Sequence, residues 1–300
     1  MAYLIMEGLI VILLNMNLYS ESLGKKTEVT VLLPVNSSIN NPAKTLWFLH
    51  GMSDDHTGCL RNSLLELQAE KYGVAVIFPN ADLSFYVDMA YGCDYANWIS
   101  KELPDVLTKL LPLSKSPGDN FIAGISMGAY GAFFMGLNNS EKYNTAVSLS
   151  GPMRIDWIYQ ILTDKHIAHI AALEDDNKKK EACKVYSEKN HVPELLVTEL
   201  CKMSGARTIR SFQAMFGIDP VLCSSSCDLF SCAKKIQEKR AELKLMAFCG
   251  EQDYHYESNI LFRDFAMENN LKYSLTTGGG AHTWDYWNQN IPVMMKRLFE

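Results

Sequence analysis

The chain has 300 residues, 48% of them apolar, and a formal charge of −6. That is enough apolar material for one large α/β domain with insertions, and too much for a disordered chain. The mildly acidic balance, with no basic run, argues against a nucleic-acid or phosphate-binding role.

The first apolar stretch, Leu9 to Leu14, has no Lys or Arg before it, Glu7 beside it and no small-residue cleavage site after it. It reads as an edge strand rather than a secretory leader, and it is too short to span a bilayer. Asn15 to Ser20 and Glu28 to Val35 then read as strands joined across Gly24-Lys25-Lys26, an antiparallel pair at a sheet edge. Thr45 to Leu49 and Val74 to Phe78 are continuous apolar runs, the mark of strands covered on both faces, with a helical pattern through Leu60, Leu64, Leu65, Leu67 and Tyr72 between them. A second helical stripe fills Asp94 to Leu111, with a kink or restart expected at Pro104.

The next segment, Asn120 to Ala132, is a buried-strand pattern that runs into Gly124-Ile125-Ser126-Met127-Gly128 and straight on into a helix of small residues. The G-x-S-x-G spacing has a mechanical reason. A serine lifted above the end of a parallel sheet needs a sharp, strained turn with little room on either side, and glycines leave that room. Thr145 to Ser150 and Leu243 to Cys249 read as further strands. Residues 152–242 between them are polar and helical, far longer than an ordinary connection, and are taken as a helical cap inserted into a single domain spanning 1–300. A helix from Tyr256 to Asn270, a strand from Lys272 to Thr277 and a closing helix through Leu298 complete a doubly wound, mostly parallel sheet.

A serine nucleophile requires a base, and the base requires a carboxylate to hold its tautomer. In this architecture they follow in the order Ser, acid, His at successive strand ends. Asp253 and His282 occupy those positions, with Glu251 and Asp285 as competing acids and His255 as a competing base. Gly278-Gly279-Gly280 lets the loop before His282 fold down toward Ser126. For an oxyanion hole, the amide of Met127 opens a helix and the amide of Met52 follows Leu49-His50-Gly51. His50 is read as fixing that loop rather than moving protons, and His56, His166, His169 and His191 as surface or cap residues.

Eight scattered cysteines, several in apolar patterns, favour packed thiols and a reducing, cytoplasmic setting. Cys223, Cys227 and Cys232 match no zinc spacing, and neither a metal nor another cofactor is called for. The partner expected is a small-molecule ester, with no nucleic acid and no membrane; a homo-oligomer is left open.

These stretches resemble the tributyrin esterase (EstA-type) branch of the esterase D and S-formylglutathione hydrolase-like family of α/β-hydrolases. The likeness rests on Tyr19 to Leu23, His50-Gly51-Met52-Ser53, Pro79 to Asp82 with Ser84-Phe85-Tyr86, and Met89 to Gly92 with Asp94-Tyr95. It extends through Gly124 to Gly128, Cys249 to Asp253 and His282 to Trp287. The resemblance implies an α/β-hydrolase fold, Ser126, Asp253 and His282 as nucleophile, acid and base, and small acyl esters as substrates. Cys93 and Ala129 stand where the family ordinarily has glycine, and the inserted segment aligns poorly, so acyl or alcohol preference is expected to differ. Phe85, Tyr86, Tyr91, Trp98, Trp157, Phe212 and Phe216 are the bulky residues expected either to narrow the acyl site or to pack as core.

Overall fold

In the computed structural model, which describes residues 10–218, 227–238 and 242–300, one eight-stranded sheet organises the chain. Its strands are β1 (Val11–Ser20), β2 (Lys25–Pro34), β3 (Thr45–Leu49), β4 (Ala75–Pro79), β5 (Asn120–Ile125), β6 (Thr145–Leu149), β7 (Lys244–Gly250) and β8 (Tyr273–Gly278). Their order is β1-β2-β4-β3-β5-β6-β7-β8; β1 and β2 run antiparallel to their neighbours and the others are parallel. The expected edge pair is present, as one hairpin whose second strand already begins at Lys25; Leu9 lies outside the described residues.

The unalternated apolar strands feed two cores. Trp47, Ile77, Ile122 and Ala146 face one, while Leu46, Phe48, Val76, Phe121, Ala123 and Val147 face the other. With a side-chain period of two, a strand covered by helices on both faces must be apolar at every position.

Helices α1 (Gly58–Asn62) and α2 (Leu65–Tyr72) take the place of the single helix expected over 60–72. The break is imposed from outside. Asn288, in the last helix α13 (Trp284–Phe299), accepts the Leu64 amide at 3.2 Å and donates to the Asn62 carbonyl at 2.8 Å. The 94–111 stripe forms α3 (Tyr95–Asn97), a π-turn over Trp98–Glu102, and α4 (Leu103–Leu110). Pro104 has no N–H for the Ser100 carbonyl four residues back, and Lys142 Nζ serves that oxygen instead at 2.8 Å.

After β5 comes α5 (Met127–Asn138), buried on nearly every side. Between β6 and β7 lie α6 (Ile155–Thr163), α7 (Lys165–Ala171), α8 (Asp176–Asn190), α9 (Glu194–Met203), α10 (Ala206–Phe216) and α11 (Leu229–Glu238). These helices share one continuous core with α5. α12 (Tyr256–Glu268) follows β7. No helix of the described residues is long and apolar enough to cross a membrane.

Candidate active site

Ser126 stands between the last residue of β5 and the first of α5, with φ 53° and ψ −120°. A non-glycine residue at positive φ is strained, and it persists only where its surroundings over-determine it. Here the surroundings are glycines. A Cβ on Gly124 would lie 2.3 Å from the Gly128 carbonyl oxygen, and one on Gly128 would lie 2.1 Å from that of Leu49. Neither position can take a side chain while β3, β5 and α5 hold their places. The Ser126 amide is tied to the Leu149 carbonyl at 3.0 Å, which fixes the turn to the end of β6.

Asp253 and His282 arrive from the ends of β7 and β8. His282 Nε2 lies 2.8 Å from Ser126 Oγ, and Nδ1 lies 2.9 Å from Asp253 Oδ2. The other oxygen of Asp253 accepts the His255 amide at 2.9 Å. Burial alone would raise the Asp253 pKa. The hydrogen bond and charge of His282, with the neighbouring His255, outweigh it and hold the carboxyl below the usual range. An ionised carboxylate can only accept, so Nδ1 carries the proton and Nε2 is free to accept from the serine hydroxyl.

The competing assignments separate on position. Glu251 and Asp285 are exposed, and among the acids of the described residues the His282 ring pairs with Asp253. His255 is buried with its ring centroid 5.4 Å from that of His282, and burial pushes its pKa down to about 3. It is a neutral neighbour of His282, two residues behind Asp253 in the chain.

The loop after β3 is built around His50, which is 1% exposed. Its Nδ1 donates to the Gly51 carbonyl at 2.8 Å, Nε2 accepts the Ala81 amide at 3.1 Å, and burial lowers its pKa. Tyr86 O–H donates to the His50 carbonyl at 2.8 Å. Both ring nitrogens are thus occupied in holding the loop, which leaves the Gly51 α-carbon side against the Ser126 Cβ. Met52 follows on this loop and Met127 opens α5, so both expected amides belong to segments that flank Ser126.

Of the bulky residues, Phe85, Tyr86, Trp98, Phe212 and Phe216 pack as core. Phe85 packs edge-on against Tyr130, Phe212 and Phe216 at 5.7, 5.3 and 5.7 Å, joining α10 to α5. Tyr86 and Trp98 are fully buried, and Tyr91 is exposed, its amide donating to the Ala214 carbonyl. Cys93 turns its thiol to the Leu23 carbonyl at 3.3 Å, toward the β1–β2 turn. That turn is itself clamped by Glu102, which accepts from Ser20 Oγ and the amides of Glu21 and Ser22. Of the cysteines, Cys59, Cys93, Cys183, Cys201 and Cys249 are free thiols, whereas Cys223 lies outside the described residues. Among the described residues no cluster of His, Cys, Asp and Glu could hold a metal ion.

Among the rings around His282, those of Tyr254 and Trp287 were given no role from sequence, and His255 entered only as a competing base; the rings of Tyr254, Trp287 and His255 lie 4.5, 5.1 and 5.4 Å from its own. Their nearness in sequence to Asp253 and His282 was the available signal.

The parallel sheet with its serine turn and covering helices defines an α/β-hydrolase, and the class of enzyme is a carboxylic ester hydrolase. The chain belongs to the Esterase family, whose model matches residues 20–298. It is 23% identical over 289 residues to an acetyl esterase of Caldicellulosiruptor saccharolyticus, covering 93% of this chain and 95% of that one. Among solved structures, a substrate-bound fluorophosphonate-binding serine hydrolase of Staphylococcus aureus superposes with a TM-score of 0.75 at 28% identity, covering 97% and 99% of the two chains. The S-formylglutathione hydrolase of the same organism gives 0.71 at 29% identity over the same shares.

Proposed function

We propose that the chain is a serine carboxylesterase that hydrolyses short-chain acyl esters, acetyl to butyryl, through an acyl-enzyme on Ser126. The observation that carries this reading is the unbroken relay from Ser126 Oγ through His282 to Asp253, at 2.8 and 2.9 Å, on a turn of positive φ. His282 Nε2 takes the hydroxyl proton as Oγ attacks the ester carbonyl carbon. The oxyanion that forms is met by the amides of Met52 and Met127, the latter at a helix N-terminus. Nε2–H then protonates the departing alcohol oxygen, leaving the acyl group on Oγ. Water, deprotonated by the same nitrogen, releases the acid and restores the serine. Asp253 keeps the tautomer and stabilises the imidazolium between these steps.

The inserted segment 152–242, with helices α6 to α11 among its described residues, is proposed as a cap over the acyl side. The contact between α10 and the loop at Phe85 supports that place, since this loop also packs on the nucleophile helix. The acetyl esterase relative supports a short acyl group, and the motif pattern favours a tributyrin-type branch. The free thiols favour a reducing, cytoplasmic setting. A second reading, cleavage of S-formylglutathione by the same relay, is favoured by the likeness to the staphylococcal S-formylglutathione hydrolase. Steady-state rates on p-nitrophenyl esters from two to twelve carbons, beside S-formylglutathione, test the proposal. High rates up to butyryl with a steep fall by octanoyl are expected; an optimum at octanoyl or longer overturns the short-acyl reading.

A further inference from the structure

The base is the least supported member of the relay by backbone. It follows β8, the edge strand; the Glu251 amide holds the Gly278 carbonyl at 2.9 Å, and the next anchor beyond it is Gln252. Gln252 holds Gly280 through its amide and its side chain, at 3.0 and 2.6 Å, and the Thr283 amide donates to Ala281. The two hydrogen bonds hold the imidazole only at its nitrogens, and the ring can still turn about its bond to Cβ once either is loosened. One of them must also be given up when Nε2 turns from Ser126 Oγ to the leaving oxygen. Whatever holds the ring against that rotation has to press on its faces.

Two aromatic side chains are placed to do so. Tyr254 lies over the ring at 4.5 Å and 37°, and Trp287 meets it at 5.1 Å and 84°. Trp287 is itself fixed by a directional bond, for its indole Nε1–H donates to Ser150 Oγ at 2.9 Å. Ser150 is fully buried, at the end of the strand neighbouring β5, with φ 58°. Its amide donates to the Phe248 carbonyl at 2.8 Å, and Leu149 just before it receives the Ser126 amide. The Trp287–Ser150 bond therefore references the wall of the base to the strand that also fixes the nucleophile.

We infer that Trp287 and Ser150 are positioning residues for this reaction: their hydrogen bond sets the plane of the His282 ring so that Nε2 faces Ser126 and the leaving group in turn. The inference rests on His282 being the base, as proposed above.

The test uses Trp287→Phe, which keeps a ring and removes the donor, Ser150→Ala, which removes the acceptor, the double variant, and His282→Ala as a control. On p-nitrophenyl acetate each single variant is expected to lower kcat about 5- to 30-fold with KM within about twofold, since small misplacements of a reacting group cost rate rather than binding. The double variant is expected to be no slower than the worse single, because both remove one bond. Inactivation by a fluorophosphonate, which reports the attack step alone, is expected to slow by the same factor. If both singles keep kcat within about twofold of the parent, or if their effects multiply, the inference is overturned, whatever happens to thermal stability. Should Trp287→Phe not fold, Ser150→Ala decides by the same criteria. An active His282→Ala variant would instead remove the base itself, an outcome distinct from an inactive control beside unimpaired Trp287→Phe.

Discussion

The residues proposed as nucleophile and base are held by opposite means. Ser126 is fixed by backbone: two glycines with no room for a Cβ, a positive φ, and an amide bound to the next strand. His282 is fixed by side chains: an ionised acid on one nitrogen and aromatic rings around it, on a loop of glycines at the sheet edge. The first arrangement cannot be varied without moving three elements, whereas the second can be adjusted one residue at a time. On the proposed roles, such a site keeps its attacking atom constant and leaves the orientation of its base open to change by substitution.

The largest expected effects break each end of the relay. Ser126→Ala should keep the fold and lower kcat on the order of 10⁴- to 10⁶-fold, because only binding and oxyanion contacts remain. Asp253→Asn should lower it roughly 10³- to 10⁴-fold by favouring the wrong tautomer, while Glu251→Gln and Asp285→Asn stay within about twofold. Full activity in Asp253→Asn, with loss in either of the others, would contradict the acid assignment.

The two glycine sets sharpen the contrast through thermal unfolding. Gly128→Ala drives a Cβ onto the Leu49 carbonyl and should cost about 3 kcal/mol or more. Gly279 has nothing within 4 Å of a built Cβ and no positive φ, so Gly279→Ala should stay within about 0.5 kcal/mol of the parent. Equal losses at the two positions would erase the distinction drawn between them.

A pH effect comes from His255. Its folded pKa of about 3 lies below the ordinary histidine value of 6.5, so burial keeps it neutral in the fold while the unfolded chain takes up a proton. The stability it contributes is complete above about pH 6.5 and is lost as pH falls toward 3, by at most about 1.4 kcal/mol per pH unit. The facing groups are Asp253, whose charge raises this pKa, and His282, whose charge lowers it. Asp253 is held below its own ordinary range, so its contribution is lost only at lower pH, as its folded pKa is crossed. His255→Gln should therefore flatten the fall of Tm between pH 6.5 and about 4.5; an unchanged slope would assign it to other groups.

How much of this was readable in the sequence follows from the same contrast. The β5–Ser126–α5 turn was legible because backbone crowding leaves glycine as the residue that fits, and strand order then pointed to Asp253 and His282. The side-chain scaffold was not. Nothing local marks Trp287 as the partner of Ser150, which lies far away in the chain, or Asn288 as the residue that splits α1 from α2. The triple glycine read as one hinge; in the fold only Gly280 needs its freedom, at φ 147° and against the Tyr286 ring. Tyr91 looked like a pocket residue by type and is 64% exposed, because its loop pairs with α10 through backbone rather than side chain.

The central claim, that His282 activates Ser126 alone among the serines, is tested most directly by labelling with a fluorophosphonate and mapping the adduct by peptide mass. The account predicts one adduct per chain, on the peptide carrying Ser126, absent in Ser126→Ala and formed far more slowly in His282→Ala. Labelling at another residue, or at an undiminished rate without His282, would contradict it.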